Sequence, residues 1–126
     1  MRILLLIYTM ISLVLLIVIG GCYGSKPTAE NIPESPSELS GLATGAYSVS
    51  LQWQDNSENE TGFIIYRRIT GPFGEIGRTN ANTTNYNDTI QQSCIEAHYY
   101  VSASNSSGES AISNQISVQM ICGEGP

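Results

Sequence analysis

The chain has 126 residues, which leaves room for one domain and short flanking segments. Its 11 acidic and 5 basic residues give a net charge of −6 at pH 7, and every acidic residue lies after Cys22. Nucleic acid and anionic membrane surfaces are bound by clustered Lys and Arg, whereas here only Arg67 and Arg68 adjoin, so neither is expected as a partner.

The amino terminus has the composition of an export signal. Arg2 precedes an apolar run from Ile3 to Ile19, and two glycines and Cys22 follow. The stretch from Ile19 to Cys22 resembles the lipobox of prokaryotic lipoproteins, in which an apolar residue and two small ones precede a cysteine. The resemblance implies a signal peptide over residues 1–21 and acylation of the Cys22 thiol. A single uncleaved membrane span is the alternative, because the run is close to the length of about 20 residues that a span needs.

Either arrangement tethers the chain outside the cytoplasmic membrane, and two acyl chains would anchor it stably. By resemblance, Tyr23 after the cysteine, in place of aspartate, favours the outer membrane in organisms that have two. Residues 22–36 then comprise the lipidated cysteine and a flexible tether, since prolines, small residues and charges there leave too few apolar groups for a core. Extended at about 3 Å per residue, the tether would hold a domain about 40 Å from the lipid.

Short stretches of alternating apolar and polar residues, separated by turn residues, predict an all-β domain over residues 37–122, followed by a tail at 123–126. The stretch 63–66 is apolar on both faces, as expected of a central strand. The predicted strands lie near Leu39, at 47–53, at 63–66, around Ile76, at 83–88, at 99–103 and from Ile112 to Met120.

Seven strands in a domain of this size favour a sandwich of two antiparallel sheets. Because side chains alternate between the two faces of a strand, the apolar positions of each stretch are expected to point inward together. The predicted core consists of Val49, Leu51, Trp53, Phe63, Ile65, Tyr86, Tyr99 and Val101.

The same stretches carry the motifs of a known family. They are Val49-x-Leu51-x-Trp53, Asp55-Asn56-Ser57 with Glu60-Thr61-Gly62-Phe63-x-Ile65-Tyr66-Arg67, Thr84-x-Tyr86-x-Asp88-Thr89, and Tyr99-x-Val101-x-Ala103-x-Asn105-x-x-Gly108-x-Ser110. In this order they resemble a fibronectin type III domain of the kind common in bacterial envelope and secreted proteins. The resemblance implies a seven-stranded immunoglobulin-like antiparallel β-sandwich. One position departs from the pattern: the tyrosine whose hydroxyl usually ties the sandwich corner is Ala97 here.

Cys94 and Cys122 are predicted to form a disulfide, because Cys22 belongs to the lipobox and an exported domain folds in an oxidising compartment. If the last two strands form a hairpin, the two cysteines face each other when its turn is centred on Gly108. A bridge that closes a loop of about 29 residues contributes about 3.5 kcal/mol in the chain-entropy model. The bridge is predicted to replace the missing tyrosine, and two free cysteines are the alternative.

A polar stretch between the second and third strands is the candidate binding loop. It is predicted mainly as a turn, since short polar side chains can bond the turning backbone and Gly62 lets the chain re-enter a strand. A binding role is kept open, because sandwiches place their binding loops at the ends. A calcium site is a weaker alternative, since the spacing fails the twelve-residue calcium loop. The loop comprises Asp55, Asn56, Ser57, Glu58, Asn59 and Glu60.

Catalytic residues, metal ligands and cofactor motifs are not indicated, so an enzyme is not expected. Acid–base chemistry would need a buried carboxylate with a raised pKa, and a polar loop gives no sign of one. The single histidine, His98, alternates to the face opposite Tyr99, and Cys94 and Cys122 with one histidine are too few for zinc. The chain also lacks nucleophile-elbow, HExxH and phosphate-loop motifs.

Two classes of function remain. The first is a non-enzymatic, lipid-anchored binding or spacer module that meets a protein or a polysaccharide of the cell envelope. The second is an accessory structural lipoprotein that docks onto a larger envelope complex through a strand edge or exposed turns.

Overall fold

The computed structural model describes residues 31–123. The predicted signal peptide, Cys22, the first part of the predicted tether and most of the predicted tail lie outside these residues. Within them the chain forms strands and turns and no helix, so no helix there could span a membrane. The strands are β1 Ser37–Gly45, β2 Ser48–Gln54, β3 Gly62–Arg68, β4 Gly74–Asn80, β5 Asn85–Thr89, β6 Glu96–Asn105, β7 Gly108–Glu109 and β8 Ile116–Gln119.

The strands form two antiparallel sheets. The first has the order β1-β2-β5. In the second, β3 lies between β4 and β6, and β7 and β8 both pair with β6. The central position of β3 agrees with its apolar residues on both faces. Side chains from both sheets form one core, so the predicted immunoglobulin-like β-sandwich is confirmed.

The core follows the period-two alternation of the sequence. The exception is Tyr86, which was predicted as core and is only partly buried. Its ring lies over Gly77, where an added Cβ would meet the ring carbon Cζ at 2.8 Å, and its hydroxyl donates to the Ile76 carbonyl at 3.2 Å. The other predicted core residues are all buried: Val49, Leu51, Trp53, Phe63, Ile65, Tyr99 and Val101.

The last predicted strand is interrupted, so the structure has eight strands where the sequence predicted seven. Residues 110–115 leave the regular ladder, and Ile112, predicted on that strand, is exposed. The hydroxyls of Ser110 and Ser113 accept hydrogen bonds from the backbone amides of Ala103 and Val101, at 2.9 and 3.0 Å. Side chains thereby satisfy β6 amides across the interruption, as buried backbone donors require.

The strands run between two ends of the sandwich. We call one the loop end, which holds the β2–β3 loop (residues 55–61), the β4–β5 turn (81–84) and the β6–β7 turn (106–107). We call the other the disulfide end, which holds the β1–β2 turn (46–47), the β3–β4 turn (69–73), the β5–β6 loop (90–95) and the chain after β8. The candidate binding loop therefore lies at the loop end.

Candidate functional site

The candidate binding loop is held by hydrogen bonds among its own side chains. Asp55 Oδ1 accepts from the backbone amide of Ser57 at 3.0 Å and from its hydroxyl at 3.3 Å. The same hydroxyl lies 2.6 Å from Glu60 Oε2, to which it donates. Such local side-chain bonds are what make Asp and Ser turn formers. The turn predicted from the sequence is therefore present, with its polar groups directed at one another.

Glu60 is the exception to an otherwise open loop, because it is only 7% exposed. Its Oε1 accepts the backbone amide of Asn82 at 3.0 Å, which joins the loop to the β4–β5 turn. Burial alone would raise the pKa of Glu60, but hydrogen bonds from Ser57, Asn82 and its own backbone together lower it. The burial of Glu60 was not anticipated from the sequence, but a buried carboxylate with a raised pKa was not expected in this loop, and the pKa of Glu60 is lowered. The buried group nevertheless stays ionised, which suits a structural acceptor and not a general acid.

Two asparagines of the loop hold the N-terminal segment, which we define as residues 31–36. Asn59 Nδ2 donates to the Asn31 carbonyl at 2.7 Å, and Asn56 Nδ2 donates to the Ser35 carbonyl at 2.9 Å. Asn105, at the end of β6, donates to the Asn31 carbonyl as well, at 2.8 Å. Bonds of this kind contribute about 1 kcal/mol each.

The N-terminal segment therefore lies against the domain where the sequence predicted the end of a flexible tether. Pro33 and Pro36 within it are buried. Prolines favoured a linker in the sequence because they suit extended, solvated chain. A proline ring is also apolar surface, and here amide donors of the loop satisfy the carbonyls beside it. That pairing could not be anticipated from composition.

Open, polar grooves flank the loop. One of about 660 Å³ is lined by Glu34, Ser35 and residues 54–58. A second, of about 430 Å³, lies between the N-terminal segment and residues 56–59. Small-molecule sites are usually enclosed and mostly apolar, and these grooves are neither. Exposed Glu58 is the one residue of the loop left fully open to solvent, so the arrangement can offer hydrogen bonds to a large partner but cannot enclose a small one.

The disulfide end carries a covalent cross-link between Cys94 and Cys122, with a Cα–Cα distance of 4.4 Å. The pairing is the predicted one, but the hairpin geometry is not. The β6–β8 ladder pairs Glu96 with Gln119, which displaces Cys122 by one residue from the position opposite Cys94, and Cys94 takes a left-handed backbone conformation with φ 58°. Ala97 is fully buried nearby.

A hydrogen-bonded triad, which we define as Arg67, Asp88 and Tyr99, was missed in the sequence; Asp88 and Tyr99 are buried, and the Arg67 side chain is 24% exposed. Arg67 Nη1 donates to both Asp88 oxygens, at 2.9 and 2.8 Å, and the Tyr99 hydroxyl donates to Asp88 Oδ2 at 2.8 Å. Asp88 belongs to the first sheet and its partners to the second, so the triad ties the sheets through the interior. Burial, followed by the hydrogen bond and charge of Asp88, raises the pKa of Tyr99 well above its usual range.

Alternation along the strands could have found the triad. Arg67 continues the inward face of Phe63 and Ile65, and Tyr99 shares the inward face of Val101. Asp88 follows Tyr86 by two residues on β5. A cation, an anion and a hydroxyl that all point inward predict a buried hydrogen-bonded group, since buried charges are paired.

Aromatic side chains cover the outer face of the second sheet. Tyr66 and Tyr100 are cross-strand neighbours with stacked rings 4.7 Å apart, Phe73 packs on Tyr100 at 4.6 Å, and the Arg68 guanidinium lies 4.9 Å over Phe73. Burial, together with the hydrogen bond to Glu109, raises the pKa of Tyr66 to about 12. The ring faces contact one another, so this stack braces the sheet.

Metal ligands are not brought together in the part of the chain that the structure describes. No group of three or more His, Cys, Asp or Glu side chains there could hold an ion. His98 lies on β6 between Arg68 and Ser117, on the outer face, opposite to the core-facing Tyr99 as predicted. The carboxylates of Asp55 and Glu60 already accept bonds from the chain itself.

Comparison with solved structures decides the fold family. A structure of an Fn3-like protein from Clostridium thermocellum is similar to this chain at 24% identity and a TM-score of 0.61, covering 75% of this chain and 100% of that one. The chain has the fibronectin type III fold. The fn3 domain of the human collagen alpha-1(XX) chain agrees, at 18% identity and a TM-score of 0.64, covering 82% of this chain and 97% of that one.

The chain is also similar to part of a longer structure. A structure of domains A168-A170 from titin is 18% identical with a TM-score of 0.63, covering 72% of this chain, which spans only 33% of that one. No protein-family model and no curated protein matches the chain. The described residues thus carry one fibronectin type III sandwich.

Proposed function

We propose that this protein is a non-enzymatic, lipid-anchored protein of the cell envelope, with its mature chain beginning at an acylated Cys22. It displays a single fibronectin type III sandwich as a binding or spacer module for an envelope protein or polysaccharide. The outer membrane is the proposed location in organisms that have two membranes. The acidic surface agrees with a partner other than nucleic acid.

The observation that carries this proposal is the cross-link between Cys94 and Cys122 in a domain whose leading sequence resembles a lipobox. Structural disulfides persist in oxidising compartments and are rare in the cytosol. A domain with a structural disulfide is expected in such a compartment. The export signal that the lipobox resemblance implies would carry it there. The sandwich itself supports a display role, because its described residues place turns and loops at its two ends.

Metabolic labelling tests the anchor. The full chain is expressed in a bacterial host that is fed an alkyne analogue of palmitate, and the protein is then analysed by gel fluorescence and intact mass. We expect a labelled protein whose chain begins at residue 22, and loss of the label in Cys22→Ser. The variant Cys94→Ser with Cys122→Ser is the matched control and should keep the label. An unlabelled membrane protein that retains Met1 would instead establish the uncleaved span.

The partner is tested separately, because anchoring and recognition fail independently. A saccharide array probed with the domain tests a polysaccharide, and cross-linking in intact cells tests a stoichiometric envelope protein. We expect the variant Glu58→Gln, at the exposed position of the candidate loop, to keep the folded state and any partner. An interaction that this change abolishes would restore the loop as the recognition site.

Docking through a strand edge receives little support from the described strands. The outer edge of β1 is covered, because the Asn114 side-chain amide bonds both the amide and the carbonyl of Leu39, each at 2.9 Å. The edge strand β4 has an irregular register opposite Ile65 and Tyr66 and carries an ion pair between Arg78 and Glu75. Bulges and charges are the usual protection of an edge against pairing. Docking of a partner strand at Leu39 of β1 or along β4 is therefore disfavoured.

A further inference from the structure

The N-terminal segment fixes where the chain leaves the sandwich. Its first described residue, Asn31, is bonded through one carbonyl oxygen to amides of two different elements, Asn59 of the loop and Asn105 of β6. Asn56 holds the segment again at Ser35, and also donates to the Ser37 hydroxyl at 3.0 Å. The chain before Asn31 therefore departs from the loop end.

The distance to the proposed anchor limits how the domain can stand. From Cys22 to Asn31 even a fully extended chain spans at most about 30 Å. The sandwich is longer than β6 alone, whose 10 residues span about 33 Å. An inverted domain would hold Asn31 farther from the lipid than the chain can reach. Release of residues 31–36 would extend the reach to about 50 Å, and inversion would then become possible.

We infer that the candidate binding loop is the seat of the N-terminal segment, and that it thereby holds the loop end toward the bilayer and presents the disulfide end away from it. This rests on the proposed anchor at Cys22. Glu34 and Glu58 line the groove at the loop end, so that end is expected to face the bilayer at the distance the tether allows, without binding anionic headgroups. An envelope partner then meets the disulfide end or a sheet face, and the grooves around residues 54–59 face the membrane.

Paramagnetic relaxation tests this orientation. The full protein is isolated with its own anchor, placed in nanodiscs that contain a lipid with a gadolinium chelate in its headgroup, and studied by amide NMR. Size exclusion first establishes whether the protein is incorporated. We expect loss of amide signals at the loop end, for example Asn59 and Ser107, while amides of the disulfide end such as Gly71 and Gln92 keep their intensity.

Variants separate the seat from the anchor. Asn56→Ala with Asn59→Ala removes three side-chain bonds to the chain from Ser35 to Ser37 and at Asn31, and leaves the bond from Asn105. It should reduce the difference in signal loss between the two ends. Asn87→Ala, an exposed asparagine on β5, is the matched control and should leave the difference between the ends unchanged.

Each outcome has a distinct meaning. Protein that stays outside the nanodiscs would overturn the anchor, and this inference with it. Incorporated protein with equal or reversed signal loss at the two ends would overturn the orientation alone and leave the anchor standing. A difference between the ends that the double variant does not reduce would show that the loop asparagines are not the seat.

Discussion

The two ends of the sandwich are fastened by different chemistry. At the loop end, the carboxylate of Glu60 joins the β2–β3 loop to the β4–β5 turn, and the side-chain amides of Asn56, Asn59 and Asn105 hold the N-terminal segment. At the disulfide end, a covalent bridge closes the chain after β8 onto the β5–β6 loop, and the triad of Arg67, Asp88 and Tyr99 joins the two sheets. The more polar end is thus the one whose polar groups are already engaged.

A polar loop is therefore not by itself evidence of a binding site. The acidic and amide groups from Asp55 to Glu60 look like a site in the sequence, but most of them are partners of the chain itself. At the opposite end, Ala97 stands where the fibronectin type III resemblance led us to expect a tyrosine, and the bridge and the Tyr99 bond to Asp88 are present. Substitutions at each end should therefore have separable effects.

The largest expected effect follows from removal of Asp88. Asp88→Ala leaves the Arg67 guanidinium without its anion and the Tyr99 hydroxyl without its acceptor, at a site where Asp88 is 5% exposed. Loss of one partner of a fully buried pair costs about 3–5 kcal/mol. The 24% exposure of the Arg67 side chain lowers that cost, whereas the buried Tyr99 hydroxyl, left without its acceptor, adds about 1–3 kcal/mol. Urea denaturation measures the free energy of unfolding, with Asn87→Ala as the exposed neighbour on the same strand. A loss below about 1 kcal/mol would mean that the triad is not a fastening.

The cross-link comes next. Replacing both Cys94 and Cys122 by serine should lower the free energy of unfolding by about 3.5 kcal/mol, because the unfolded chain regains the entropy of the closed loop. Urea denaturation of the oxidised wild type, the reduced wild type and the double variant checks it. The last two should agree. A double variant as stable as the oxidised protein would show that the bridge does not stabilise the disulfide end.

A smaller, pH-dependent effect is expected at the loop end. Glu60→Gln should cost about 1.5–3 kcal/mol at neutral pH, since it weakens bonds to a charged acceptor, whereas exposed Glu58→Gln should be nearly neutral. The pKa of Glu60 is lowered from 4.5 in the folded state. The contribution of Glu60 to the free energy of unfolding is therefore complete above pH 4.5, and it is lost as the pH falls through the lowered pKa of the folded state. Urea denaturation of the wild type and both variants across acidic pH measures this loss. A stability difference between Glu60→Gln and the wild type that stayed constant as the pH fell would contradict it.

The smallest expected effect is that of calcium. Asp55 and Glu60 already accept hydrogen bonds from Ser57 and Asn82, so an ion would have to displace them. The melting temperature should not change in millimolar calcium. A rise of several degrees, which selective binding to the folded state would produce, and which Asp55→Ala abolished, would restore the calcium alternative.

The sandwich could be predicted from the sequence because a strand with one buried face has apolar residues at every second position. Val49, Leu51 and Trp53 alternate without interruption, and the structure buries all three. The interruption at residues 110–115 was not predicted. There the hydroxyls of Ser110 and Ser113 accept hydrogen bonds from β6 amides in place of backbone carbonyls, and serines in the sequence are equally typical of an exposed strand. Side-chain bonds of this kind depend on distances between strands, which periodicity does not record.

The candidate site was predicted less completely than the fold. Its turn was anticipated from Asp55, Asn56 and Ser57, but the burial of Glu60 depends on the β4–β5 turn, which is distant in sequence. The seat for residues 31–36 depends in the same way on Asn105. Polar residues in a loop indicate that hydrogen bonds form, but partners that are distant in sequence become apparent only in the folded structure.

Amide hydrogen exchange tests most directly the claim that the two ends are fastened independently. In the variant with both Cys94 and Cys122 replaced by serine, we expect faster exchange at the disulfide end, at the amides of Met120 and Ile90, which bond Ile95 and Tyr47. The amides of Ser57 and Asn82 at the loop end, which bond Asp55 and Glu60, should keep their protection. Equal loss of protection at both ends would show that the sandwich opens as one unit and that its two ends are not fastened independently.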